Sequence, residues 1–158
     1  MIRLNRTTEY GLVALRHMSR KSNLDVTSAR EIADHYGFPF EITAKTLQRL
    51  RDTGLIDSAQ GARGGYTLQR PLSQVTLAEF LELMEGPQAV VACTSASSHS
   101  ASSCDYGTRC EIKSLMNGLN QKVMQFLSGI RLAELTQENL VSIGRFGQQL
   151  PIAAGEEP

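Results

Sequence analysis

The chain has 158 residues with sixteen Lys/Arg against sixteen Asp/Glu, the length of one domain or of a compact module with an added helix. Hydrophobic residues at 41% and charged residues at 20% allow a folded core and exclude wholesale disorder, while the absence of Trp speaks against a binder that stacks single-stranded bases. The zero net charge hides an asymmetry: residues 1–70 hold eleven Lys/Arg against seven Asp/Glu, and residues 71–158 hold five against nine, so the first half is the one suited to meet a polyanion.

The N-terminal residues lack the apolar run of a signal peptide, and no stretch reaches membrane-spanning length, so the expectation is a cytoplasmic protein with no membrane partner. The first predicted helix runs from about Thr7 to Arg20, with Tyr10, Val13, Ala14, Leu15 and Met18 at helical spacing. Ser28 and Glu31 form a capping box, in which Ser28 accepts from the third backbone N–H and Glu31 reaches back. The helix they open passes through Ile32, Ala33 and Tyr36 and ends at Gly37. After the turn Phe38-Pro39-Phe40 a third helix extends to about Thr53, with Thr43, Leu47 and Leu50 inward and Gly54 as its stop.

Two short helices joined by a glycine-containing turn make the helix-turn-helix pattern. The next residues extend it. Leu55-Ile56-Asp57-Ser58 reads as a strand, residues 60–65 as a glycine-rich turn and Tyr66-Thr67-Leu68 as a returning strand. Arg63 on that tip can reach a narrow minor groove, and Gly64 and Gly65 let the backbone approach a sugar-phosphate rail. In this order the hairpin is a wing, and the polyanion is double-stranded DNA. On the third helix Glu41, Ala44, Lys45, Gln48 and Arg49 point outward. Glu41, Lys45 and Gln48 are placed for base edges, and Arg3, Arg49 and Arg51 for phosphates.

Thr76 and Glu79 form a second capping box, opening a helix that ends at Gly86-Pro87. Between Cys93 and Cys104 lie ten residues, six of them serine; such a segment cannot bury apolar surface and is expected to be a mobile loop. From Glu111 the residues Ile112, Leu115, Met116, Leu119, Val123, Phe126, Leu127 and Ile130 form one apolar stripe over about five turns. That is more than a small domain can cover, and a homodimer formed through this helix is the economical solution. The expected fold class is therefore mainly α with a small β-hairpin wing. It comprises a winged helix-turn-helix domain over 1–86, a cysteine-bearing loop over 87–110, a dimerisation helix and C-terminal helix over 111–147, and a disordered tail over 148–158.

Cys93, Cys104 and Cys110 fall within 18 residues, too clustered and too few for a disulfide framework. No gap is short enough for the usual zinc pairing or for a redox C-x-x-C. Thiolates spread along a loop suit an iron–sulfur cluster, although spacing alone also leaves open a redox-sensitive thiol pair. Paired carboxylates, a His-rich helix and a phosphate-binding glycine loop are all missing, so no enzyme is expected.

The chain resembles the IscR/NsrR family of bacterial iron–sulfur transcription regulators, which also includes RirA and the cluster-free CymR. The resemblance is carried by Arg3-Leu4, by Thr8 through Leu15, by Glu31-Ile32-Ala33 and by Leu47 through Ile56. It continues through the wing from Gly61 to Leu68, Thr76-Leu77, Glu85-Gly86 and the three cysteines. It implies a homodimer with one cluster per subunit, 2Fe–2S or 4Fe–4S, held by the cysteines. It also implies DNA recognition by the third helix and wing, and control by iron, redox state or nitric oxide. Two departures stand out. The first cysteine gap is longer than is usual in the family, and the His that would come three positions after the last cysteine is replaced by Lys113. Glu9 matches a position where some members supply a carboxylate from the other subunit and is the first candidate for the fourth ligand; His99 is the second. The alternative is a cluster-free regulator acting through protein–protein contact or a thiol switch.

Overall fold

A computed structural model describes residues 4–21, 25–61, 64–89 and 110–136. Helix α1 spans Arg6–Ser19, α2 Ala29–Tyr36 and α3 Phe40–Asp52; strands β1, Ile56–Ala59, and β2, Gly65–Leu68, come next, then a 3₁₀ turn at Leu72–Gln74. Helix α4 is Leu77–Glu85, α5 Lys113–Gly129 and α6 Leu132–Thr136. The result is a mainly helical winged helix with one long helix, as the sequence predicts.

Each early boundary has a local cause. Asn5 caps α1 by accepting from the Thr8 N–H. Ser28 caps α2 by accepting from the Glu31 N–H, and Thr76 caps α4 by accepting from Glu79. Gly37 closes α2 with a left-handed backbone, φ 67°, which a side chain would strain. The capping boxes are only half realised, however. The Glu31 carboxylate turns away from Ser28 to bind Lys21 and His17, and Glu79 binds Arg70 at 2.7 Å. Stronger, charged partners displace the backbone N–H that each glutamate was expected to reach.

The core lies where α1, α3, α4 and the start of the hairpin converge. Leu15, Ile32, Leu47, Leu50, Leu55, Ile56, Val75 and Phe80 are all essentially inaccessible. Strands β1 and β2 pair antiparallel in the register Ile56↔Leu68 to Ala59↔Gly65. Thr27, just before α2, adds a one-residue third strand: its N–H donates to the Tyr66 carbonyl, and the Tyr66 N–H donates back, both at 2.9 Å.

The apolar stripe after Glu111 is not one surface. Ile112, Leu115, Leu119 and Phe126 are exposed, whereas Leu127 packs on the core and Ile130 is buried. The helix also stops before Ile130, which is extended at φ −93°, ψ 124°. The Ile130 carbonyl accepts from the Leu77 N–H at 2.8 Å, and the Leu132 N–H donates to the Val75 carbonyl at 2.9 Å. This pair of bonds draws the chain across the start of α4 and seats Leu132 in the core of residues 1–86. No helix of the described residues is long and apolar enough to cross a membrane. The serine-rich loop and the expected disordered tail lie outside the described residues.

Candidate nucleic-acid interface and sensor site

The inward face of helix α3 combines apolar side chains with two buried threonines that satisfy their hydroxyls within the helix and its cap. Thr43 is buried, and its backbone N–H and Oγ1 both donate to the Pro39 carbonyl at 3.0 Å. Thr46 is buried likewise and donates to the Ile42 carbonyl. With Leu47 and Leu50 these residues fix which face turns inward, as predicted for Thr43, Leu47 and Leu50. Glu41, Lys45, Gln48 and Arg49 are left exposed on the outer face. The turn before α3 is held by rings: Tyr10 of α1 stacks on Phe38 at 4.0 Å between centroids, and Tyr36 stacks on the same ring at 5.5 Å.

The cations of this surface differ in availability. Among the described residues neither Lys45 nor Arg49 has a carboxylate partner. Arg51 donates from Nε and Nη2 to one oxygen of Asp52, at 3.1 and 2.7 Å, and that hydrogen bond raises its already high pKa. Asp52 thus takes up two of the five N–H donors of Arg51 and offsets part of its charge. The predicted contacts Arg3 and Arg63 lie outside the described residues.

Gly64 is exposed beside the wing turn, and Gly65 begins β2. A Cβ on Gly65 would lie 2.6 Å from Val26 Cγ1 and 2.7 Å from the Thr27 carbonyl oxygen. The strand crossing at Thr27 is by itself enough to require glycine there. That packing requirement leaves no local sequence signal, because Thr27 lies far from Gly65 in the chain.

The candidate ligands stand on separate elements. Glu9 is on the first turn of α1, half-exposed, with Arg6 Nη1 at 3.9 Å. The segment leading into α1 is tied to the end of α4 by the Asn5 N–H donating to Glu85 Oε1 at 3.0 Å. Cys110 is partly buried just before α5, and its carbonyl accepts from the Lys113 N–H. Cys93, His99 and Cys104 lie outside the described residues, and among the described residues no three metal-binding side chains gather around one point. Of the expected ligands only Cys110 and Glu9 fall among the described residues, and they stand on different elements, before α5 and on α1.

The sequence reading did not single out Phe40 and Ile42, large apolar side chains on the first turn of α3 that are 44% and 39% exposed. It also passed over Arg30, whose guanidinium carbon sits 4.7 Å from the centre of the Phe40 ring. The available signal was an arginine in the first turn of a helix, where acidic residues are favoured.

A helix-turn-helix with exposed Lys45 and Arg49 on its outer face, leading into a hairpin wing, is the architecture of a DNA-binding transcription regulator. Residues 4–138 match the model of the Rrf2 family, described as iron-dependent transcriptional regulators, and the chain belongs to that family. Its fold is that of CymR (YrzC), the global cysteine regulator of B. subtilis, with TM-score 0.65 and 23% identity over 86% of this chain and 97% of that one. T. potens IscR matches with TM-score 0.62 and 19% identity over 94% and 93% of the two chains. A putative transcriptional regulator from Listeria innocua gives TM-score 0.65 and 19% identity over 99% and 95%.

Proposed function

We propose that this regulator is a cytoplasmic homodimer that reads a two-fold operator and senses iron, redox state or nitric oxide through an iron–sulfur cluster in each protomer. Helix α3 enters the major groove, with Glu41, Lys45 and Gln48 at base edges and Arg49 on phosphate. Arg3, Arg51 and the wing residues Arg63, Gly64 and Gly65 flank it along the backbone. The two protomers meet through Ile112, Leu115, Leu119 and Phe126, and the functional division matches the segments 1–86, 87–110 and 111–147. Cys93, Cys104 and Cys110 hold the cluster, and Glu9 of the partner subunit completes it. His99 is the second candidate for that place. A carboxylate is a harder donor than a thiolate and is more readily displaced or protonated, which suits a site that must respond to its surroundings.

The observation that carries this reading is the position of Cys110. It stands two residues before Ile112, where the exposed apolar ladder of α5 begins, so a ligand at Cys110 lies next to the surface that the partner covers. The test is anaerobic purification of the full chain with iron and sulfide counted, and then footprinting of loaded and cluster-free protein. Cys110→Ala is expected to lose the visible absorption band and the loaded-state footprint. Glu9→Ala is expected to shift that band and alter the response. A Glu9→Ala protein with an unchanged spectrum and footprint excludes Glu9.

A further inference from the structure

Helix α2 carries a cation where its own backbone disfavours one. Arg30 is the second residue of the helix, at the end where unbonded N–H groups leave partial positive charge and where Glu31 is the residue that fits. The side chain is exposed, and among the described residues no carboxylate lies within ion-pairing distance of it. Asp34, one turn further along α2, and Glu41, next to Phe40, both leave it unpaired. What holds Arg30 is the ring of Phe40, 4.7 Å from the guanidinium carbon. Phe40 in turn is the first residue of α3, and its ring is held at the surface instead of in the core.

The stack has a chemical consequence. A guanidinium held over an aromatic ring by cation–π attraction spends no N–H group on a carboxylate, so its donors stay available to another partner. Arg51 is the opposite case, with Nε and Nη2 both engaged by Asp52. In a helix-turn-helix the first helix crosses the sugar-phosphate backbone and the N-terminus of the second approaches the groove. Arg30 stands at the junction of the two. A planar donor fork with free edges is the group that matches phosphate oxygens in pairs.

We infer that Arg30 is a DNA phosphate contact and that Phe40 is its positioning residue, holding the guanidinium with its donors free at the mouth of the groove. The inference rests on α3 being the groove-entering helix. It adds a backbone clamp from α2 to the contacts assigned there to α3 and the wing.

The experiment measures the binding of full-length protein to a fluorescein-labelled mixed-sequence duplex of about 30 base pairs, long enough for two half-sites one helical turn apart, over a series of salt concentrations. Each phosphate contact contributes a slope of about −0.9 in log affinity against log salt. Arg30→Ala should therefore lower the slope by about one per bound protomer and weaken binding about fivefold per protomer near 0.15 M salt. Arg30→Lys keeps the charge without the fork and should retain most of the slope while losing affinity. Phe40→Leu should weaken binding about two- to fivefold, and in that background Arg30→Ala should cost less than it does in the wild type.

Arg30→Ala with wild-type slope and affinity would overturn the contact, including the case where only its melting temperature moves, as a purely structural stack requires. Additive effects of the Arg30 and Phe40 variants would overturn the positioning role. A wild-type protein that fails to bind the duplex even at low salt overturns the groove-entering reading itself, and this assignment with it.

Discussion

At the scale of single residues, Glu31 shows how a capping motif is put to a second use. Burial acts to raise its pKa, but the hydrogen bonds from Lys21 and His17 outweigh burial and hold the carboxyl below its ordinary value. A depressed pKa means the folded state favours the ionised form. The stabilisation is therefore complete above about pH 4.5, the ordinary value for the carboxyl, and is lost as pH falls through the lower folded value. Glu31→Gln should destabilise by about 0.5–1 kcal/mol at neutral pH, a figure kept small because the carboxylate is about one-third exposed. The gap between wild type and variant should close in acid, as thermal melts over a pH series will record. Gly65 makes a steric demand instead. Gly65→Ala must push Val26 or the Thr27 backbone aside and should cost about 1–3 kcal/mol in chemical denaturation. Full stability in that variant would mean that the hairpin shifts freely against Thr27. The capping serine and threonine were legible in the sequence because an N-cap acts within four residues. The destination of Glu31 was not, since His17 and Lys21 come from the end of another helix.

At the scale of elements, period and boundary separate. The 3.6-residue apolar rhythm runs through Ile130 without interruption, so the sequence extends the helix to that point. The chain leaves the helix because the Leu77 N–H claims the Ile130 carbonyl from across the fold, and no local pattern carries a partner that far away. The outer ladder Ile112, Leu115, Leu119 and Phe126 repeats mostly at intervals of three, four and seven, the spacing of a helix-pairing seam. Charge in the middle of that seam should separate the protomers. Leu119→Glu, exposed in the single chain and so tolerated by the fold, is expected to sediment as a monomer while keeping its helical circular dichroism. A variant that remains dimeric places the interface elsewhere. Helix α3 was the most readable element, since Thr43, Leu47 and Leu50 already marked its inner face. Arg30 and Phe40 escaped because their meeting depends on the angle between two helices.

At the scale of the whole molecule, the segment after α5 returns to the winged helix. Leu132 sits in the same core as Leu15 and Phe80, so one end of the long helix belongs to the DNA-binding body. The proposed sensing residues are legible as types, three clustered cysteines and a carboxylate, but the assembly proposed for them joins distant segments and two chains.

The anchoring of α5 makes it a cantilever. Seventeen residues give a rod of about 25 Å, clamped near Leu127 and largely exposed from Glu111 to Leu119. In a lone protomer, amide hydrogen exchange should therefore be graded along a single helix, fast near Lys113 and slow towards Gly129, because protection depends on local burial. Raising the protein concentration should slow exchange at the Lys113 end and leave the clamped end unchanged, with Leu119→Glu holding the graded profile throughout. Uniform protection at every concentration would show that the free end already has a support of its own.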